Sequence, residues 1–437
     1  MARISIVGLG KLGACMAAVY ASKGNDVIGI DINSEYVSRL NSGEPPVIEK
    51  DLASFISLYK NRISATGDYE KAIRDTDITF IIVPTPSNSD GFFSTEYIEK
   101  ACKSIGKELA KKESYHLVIV TSTVLPGDCE EKIIPILEKN SQKRCGESFG
   151  FCYSPEFIAI GSVIYDLLHP DFYLIGEYDK RSGDVLDVFY QTVSEASCPV
   201  RRMSIPSAEL TKISVNSFLT MKITYGNMLA ELAERIKGVN VDDVAGALGS
   251  DKRIGRYYIH GGLGYGGPCF PRDNRAFAAM AKKIDVHVPY AEATDTYNQH
   301  IIERSVQKIM AATSKEENIG IIGLSYKPGT YFAEESQAVS IAKNLATEGY
   351  TVHVFDPEGT DHAKTYLHDV VVYDERLDFC LDSCSTIFLS NKDKANELVL
   401  EMVNRMAKPI KIIDPWRQFR PDQFSAFVEY ICFGIGI

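Results

Sequence analysis

Ile4-Ser5-Ile6-Val7-Gly8-Leu9-Gly10-Lys11-Leu12-Gly13 is a short apolar stretch that runs straight into Gly-x-Gly-x-x-Gly, and the small-residue segment Ala14-Cys15-Met16-Ala17-Ala18-Val19-Tyr20-Ala21 follows at once. The order is strand, tight turn, helix. Gly8 makes the turn, Gly10 lets a pyrophosphate approach the backbone, and Gly13 lets the helix pack close to the strand. The helix start, with Leu12 inside it, then faces the phosphates. A second strand, Val27-Ile28-Gly29-Ile30-Asp31, ends in an acid 18 residues after Gly13. An acid there hydrogen-bonds the adenosine ribose hydroxyls and repels a 2′-phosphate. Gly8, Gly10, Leu12, Gly13 and Asp31 are therefore expected to hold NAD rather than NADP; the alternative is a tight turn in an α/β fold that binds nothing.

Working outward, strands alternate with helices. Residues 78–83 stop at Pro84-Thr85-Pro86, and residues 117–120 stop at Thr121-Ser122-Thr123-Val124-Leu125-Pro126-Gly127. Ligands of open parallel sheets sit at the carboxyl ends of strands. Thr85 and Thr123 are thus either cofactor neighbours or plain turn residues. Residues 150–156 read as a strand ending at Glu156, which is either a general base or a solvated loop carboxylate, and residues 171–177 read as another strand. A similar pattern restarts at Asn318, with strands over 319–324, 351–357, 386–390 and 410–414 and a helix over 336–346. This half lacks a complete Gly-x-Gly-x-x-Gly, which argues against a second NAD. Lys327 and Arg417, at strand ends, either meet phosphates or are simply exposed charges.

Between the halves, residues 207–234 read as one long helix, with Ser207 a possible cap. Lys212 and Asn216 share a face, as an ammonium and amide suited to an oxyanion or a water, or as a surface pair. Apolar residues occur on more than one side of this helix, which predicts burial between bodies and pairing with a second subunit. Beyond it lies Gly261-Gly262-Leu263-Gly264-Tyr265-Gly266-Gly267-Pro268-Cys269-Phe270-Pro271-Arg272-Asp273. Glycines of this density let a loop wrap a ligand; Tyr265 and Gly266 are expected on the substrate. Cys269 reads either as a nucleophile, with Asp273 one helical turn away to orient the groups around the sulfur, or as a small buried apolar residue.

The chain has 437 residues and a net charge of −11, with 45% hydrophobic and 24% charged residues. That is an ordinary globular composition spread over two or three domains. The charge argues against nucleic acid as a general partner, and no apolar run is long enough for a bilayer. Ten scattered cysteines without CxxC predict a reduced, cytoplasmic chain, with Cys380 and Cys384 structural. Eight histidines without HExxH or HxH spacing predict no metal.

With Val83–Pro86, Ser122–Gly127, Ser154-Pro155-Glu156-Phe157, Ala208–Phe218, Gly264–Asp273, Gly323–Thr330 and Asp414–Arg417 added to the first glycine turn, the chain resembles the UDP-glucose/GDP-mannose dehydrogenase family over nearly its whole length. The resemblance implies two Rossmann-like doubly wound α/β domains joined by a long central helix. Residues 1–205 would bind NAD. Residues 206–305 would form a small helical middle domain with the cysteine loop and dimer contacts, and 306–437 would bind the nucleotide sugar. It implies a four-electron oxidation of the sugar C6 alcohol, UDP-glucose being the default, through a thiohemiacetal and thioester on Cys269. Lys212 and Asn216 would steady the oxyanion, Glu156 would serve thioester hydrolysis, Asp273 would support base chemistry, and Thr123 would place the water or nicotinamide. Arg253 matches an arginine that reaches a neighbouring subunit's sugar. Three positions depart from the family pattern: Ile160 replaces a second glutamate, Arg272 a lysine, and Glu334 an arginine. They leave a UDP-N-acetylhexosamine or GDP-mannose open as substrate. A two-electron dehydrogenase of the β-hydroxyacid type would not require the cysteine loop, and a non-catalytic NAD-binding protein would not require the Cys269, Lys212 and Asn216 set.

Overall fold

A computed structural model describes residues 1–436. The chain forms two compact units, Met1–Ser214 and Val215–Ile437. The first is built on eight strands: β1 (Arg3–Val7), β2 (Asp26–Ile30), β3 (Ile63–Thr66), β4 (Ile78–Ile81), β5 (Leu117–Val120), β6 (Gly150–Tyr153), β7 (Tyr173–Glu177) and β8 (Val200–Ser204). Their spatial order is β3-β2-β1-β4-β5-β6-β7-β8, parallel except where β7 runs against β6. β4, β5 and β6 are wholly buried, as expected of strands covered on both faces. The order reverses between β1 and β4, and that crevice is where an open sheet binds ligand.

The second unit repeats the plan with six parallel strands: β9 (Ile319–Ile322), β10 (Val352–Phe355), β11 (Val372–Tyr373), β12 (Thr386–Leu389), β13 (Ile410–Asp414) and β14 (Val428–Cys432), in the order β11-β10-β9-β12-β13-β14. Its helical part includes Phe270–Lys283 and Pro289–Ala312. The fold class is thus two parallel-sheet α/β units with a helical central region. β3, β8, β11 and β14 are additions to the strands expected from sequence, and all four are sheet edges.

The long helix spans Ile205–Glu234. It begins two residues before the expected cap: Ser207 lies in the first turn, beside Pro206, whose missing N–H costs nothing there. Burial on every side is not what the helix shows. Ile213, Ala230 and Ala233 are buried, but Leu210, Phe218, Tyr225, Met228 and Leu232 are exposed. At 100° per residue those five fall within an arc of about 80°. The helix is therefore packed on one face and carries an apolar stripe on the other.

The glycine turn after β9 is closed by Asp356 at the end of β10. Its Oδ2 accepts from the Leu324 and Ser325 amides at 2.6 and 2.9 Å and from the Ser325 hydroxyl, and its Oδ1 from the Glu358 and Gly359 amides. An amide side chain would turn an N–H against those donors. Asp356→Asn is expected to destabilise the protein by about 1–3 kcal/mol without altering NAD⁺ affinity, checked by urea denaturation and calorimetric titration.

Candidate active site

In the first glycine turn, Gly8 has φ +99° and a Cβ there would lie 2.3 Å from the Ile82 carbonyl oxygen; one on Gly13 would lie 1.8 Å from that of Gly8. Nothing approaches the Cβ position of Gly10 within 4 Å, so that side of the turn is open. The helix Lys11–Ser22 starts here without a side-chain cap, so its first N–H groups face the opening. Leu12 is half-buried and packs against the sheet core, and Asp31 accepts from Leu9 N at 2.6 Å and Asn33 N at 2.8 Å, one donor on each oxygen. A carboxylate has about four acceptor sites, so Asp31 retains capacity for ribose hydroxyls. The open turn, the uncapped helix and this acid fit a dinucleotide. Lys11, passed over in the sequence reading, lies in the first turn, and burial pushes its ammonium down to about 8, with Glu49 opposing.

Thr85 and Thr123 are brought together. The Thr85 hydroxyl donates to the Thr123 carbonyl at 2.8 Å and is engaged in loop closure, while the Thr123 side chain is half-exposed. In the same unit, Lys212 Nζ donates to the Glu156 carbonyl oxygen at 2.6 Å and lies 4.7 Å from the Phe157 ring centre. Burial pushes the Glu156 carboxyl up to about 7, and the Lys212 charge pulls it back. Ile160 is half-buried nearby in sequence.

In the second unit Cys269 is exposed and immediately precedes the helix Phe270–Lys283. Asp273, fully buried, donates its amide to the Cys269 carbonyl at 2.8 Å. Its Oδ2 accepts from Asn216 Nδ2 at 2.6 Å, and its Oδ1 accepts from Arg272 Nε and Nη2. Arg272 is held charged chiefly by Asp273, with Cys269 and Glu334 adding to it, against the cost of burial. Of the departures, Arg272 thus has Asp273 as its ion-pair partner, and Glu334 adds a smaller favourable charge to it.

The glycine loop is braced within its unit by residues that sequence reading missed. Asn227 bonds Gly262 N and Leu263 O, Asn298 bonds both the amide and the carbonyl of Tyr265, and Gln337 donates to the same carbonyl. A Cβ on Gly267 would lie 2.6 Å from the Tyr326 ring. Two expected substrate ligands prove to be braces as well. Tyr265 is 3% exposed and its hydroxyl donates to Asp295. Arg417 uses all five of its N–H donors internally, on Asp242, Pro415 O, Phe433 O and Gly261 O, so none remains for a phosphate. Gly266 lies against the Glu335 carbonyl, half-exposed Lys327 has its ammonium 5.8 Å from the Tyr326 ring centre, and exposed Arg253 pairs with Asp251. Among the described residues no group of three or more His, Cys, Asp or Glu side chains is arranged to hold a metal, and no helix is long and apolar enough to cross a membrane.

Three family models cover most of the sequence: the NAD binding domain of the UDP-glucose/GDP-mannose dehydrogenase family matches residues 2–194, its central domain 206–300, and its UDP binding domain 320–421. The chain belongs to the UDP-glucose/GDP-mannose dehydrogenase family. A GDP-mannose 6-dehydrogenase of Pseudomonas aeruginosa is 32% identical over 98% of this chain and all of its own length. A UDP-glucose 6-dehydrogenase of Haloferax volcanii is 33% identical over 90% of this chain and 91% of its own. A solved UDP-glucose dehydrogenase of Pyrobaculum islandicum shares 31% identity with a TM-score of 0.88, covering 99% of this chain and 97% of that one. The family is one of nucleotide-sugar 6-dehydrogenases, and NAD is the cofactor that the first domain takes.

Asp31→Ser is expected to weaken NAD⁺ binding and to narrow its preference over NADP⁺ by about tenfold or more, read from the two dissociation constants.

Proposed function

We propose that this chain oxidises the C6 primary alcohol of a nucleotide sugar to the carboxylate, a four-electron reaction that passes through a covalent adduct on Cys269. The observation that carries the reading is the exposed Cys269 at the start of a helix, one turn from the buried Asn216–Asp273 pair. A helix start and the Arg272 charge both favour an anionic sulfur. The thiolate adds to the carbonyl carbon of the intermediate aldehyde, and the oxygen takes up the negative charge. Lys212 and Asn216, four residues apart on one helix, steady that oxyanion. Asp273 fixes the Asn216 amide, and Arg272 fixes Asp273. Bound NAD⁺ supplies the hydride acceptor for both oxidations. The thiohemiacetal becomes a thioester, which water hydrolyses to release the acid and the thiol. Glu156, poised near neutrality, takes the proton from that water, and Thr123 helps to place it. Covalent capture keeps the aldehyde from escaping between the two oxidations.

UDP-glucose is the substrate to test first: the third matching domain is a UDP binding domain, and one structure that matches over nearly the whole length is a UDP-glucose dehydrogenase. GDP-mannose is the second reading, favoured by the full-length relative from Pseudomonas aeruginosa. Lys327 and Gly266 belong to the substrate side in either case. A chain with this many thiols fits a reduced, cytoplasmic compartment.

With limiting nucleotide sugar and excess NAD⁺, two NADH per sugar are expected from the correct donor, and Cys269→Ser is expected to stall after the first oxidation. One NADH per sugar, or unchanged turnover of the serine variant, overturns the reading. Lys212→Ala is expected to lower kcat by about 100-fold. Because Lys212 holds the Glu156 carboxyl down, its loss should move the hydrolysis-limited part of the pH profile to higher pH. The exposed stripe of Leu210, Phe218, Tyr225, Met228 and Leu232 is the proposed seat of a homodimer, in which Arg253 would reach the neighbouring sugar site. Sedimentation should give a dimer at micromolar concentration, and Phe218→Glu should shift it to monomer.

A further inference from the structure

Glu209 is wholly buried on the long helix, one turn before Lys212. An acid at zero exposure needs strong local partners. Its partners all belong to one loop, residues 121–129, which leaves the end of β5. Oε2 accepts from Gly127 N at 2.7 Å and Oε1 from Cys129 N at 3.0 Å, and the Cys129 thiol also turns to it. The same loop is tied at its other end by Thr85 to the Thr123 carbonyl, and Asp128 Oδ2 closes it on Leu125 N at 3.0 Å. Gly127 takes φ +97°, and the chain then enters a π-helical turn, Cys129–Ile133. Such widened turns gather at functional sites.

We propose that Glu209 is a positioning residue for the oxidation: its carboxylate clamps the 121–129 loop and so fixes Thr123, and protonation of that carboxylate releases the loop. The role assigned to Thr123 rests on the proposed function; the clamp itself rests on the geometry. The titratable groups that face Glu209 are Cys129, whose thiol burial pushes well up, and Asp128, whose Oδ1 takes the Lys132 ammonium at 2.7 Å. Lys212, one turn along its own helix, is directed to the Glu156 carbonyl. Burial pushes the Glu209 carboxyl up to about 7, against the hydrogen bonds that favour the charge. Above that pH the carboxylate accepts all three donors. Below it, an O–H confronts donors, and at least one bond is lost.

The test is hydrogen–deuterium exchange by mass spectrometry on the full chain without ligands, at about pH 6 and about pH 8.5, corrected for intrinsic exchange. Wild-type peptides covering residues 124–130 should be protected about tenfold more at the higher pH, while β4 peptides stay unchanged. Glu209→Gln should lose that excess and its pH dependence, with the rest of the first unit still protected. Its kcat should fall with it, since Thr123 is no longer held. Equal wild-type protection at both values overturns the proposal, as does a variant that loses protection evenly across the unit. If Glu209→Gln does not fold, the wild-type pair of measurements decides alone. A protein that behaves as expected but forms no NADH with any nucleotide sugar keeps the clamp and loses the catalytic reading.

Discussion

At the carboxyl end of a parallel strand the backbone runs out of ladder partners, and the turn that follows presents N–H groups with nowhere to go. In this protein carboxylates take them up. Asp31 does so after β1, Asp356 after β9, Asp414 for the amides of Trp416 and Gln418, and Glu209 for the loop after β5. The pattern explains how two units of like plan come to differ. Asp31 has one backbone donor on each oxygen and keeps room for a ligand hydroxyl. Asp356 accepts from five groups and is closed to one.

The long helix divides its labour by face. Glu209, Lys212 and Asn216 fall within about 60° of one another on a helical wheel, and each is tied to a different segment: the loop after β5, the Glu156 carbonyl, and Asp273. The exposed apolar residues occupy the other side. A polar face of this kind on so apolar a helix is energetically tolerable because each polar group is hydrogen-bonded.

Every interior strand was legible from sequence, because a strand covered on both faces is a run of apolar residues. The four that were not are the edges, and their burial shows why: Val200–Ser204 has no buried residue, and Val428–Cys432 has none either. Half-wet strands mix charge with apolar residues and leave no run to read. The same limit applies at the site. Cys269, Asp273, Lys212 and Asn216 stood out because their motifs are local. Arg417, a charge at a strand end, and Tyr265, a hydroxyl in the glycine loop, read as ligand contacts from sequence; only the fold reveals that their partners lie at Asp242 and Asp295. Asn227, Asn298 and Gln337 were silent for the converse reason, being ordinary polar residues on helices whose role exists only once the loop is laid against them.

Of the ten cysteines, seven are buried, two are half-buried, and Cys269 is exposed. The buried ones sit in close-packed surroundings where burial raises the thiol, as at Cys15, Cys102 and Cys152. A chain rich in sulfur therefore offers the solvent essentially one chemical address. A bulky maleimide applied to the folded protein would write its mass on that residue first, so the fraction of molecules with a competent sulfur can be counted directly, and the environment of the site followed with a reporter attached at one atom.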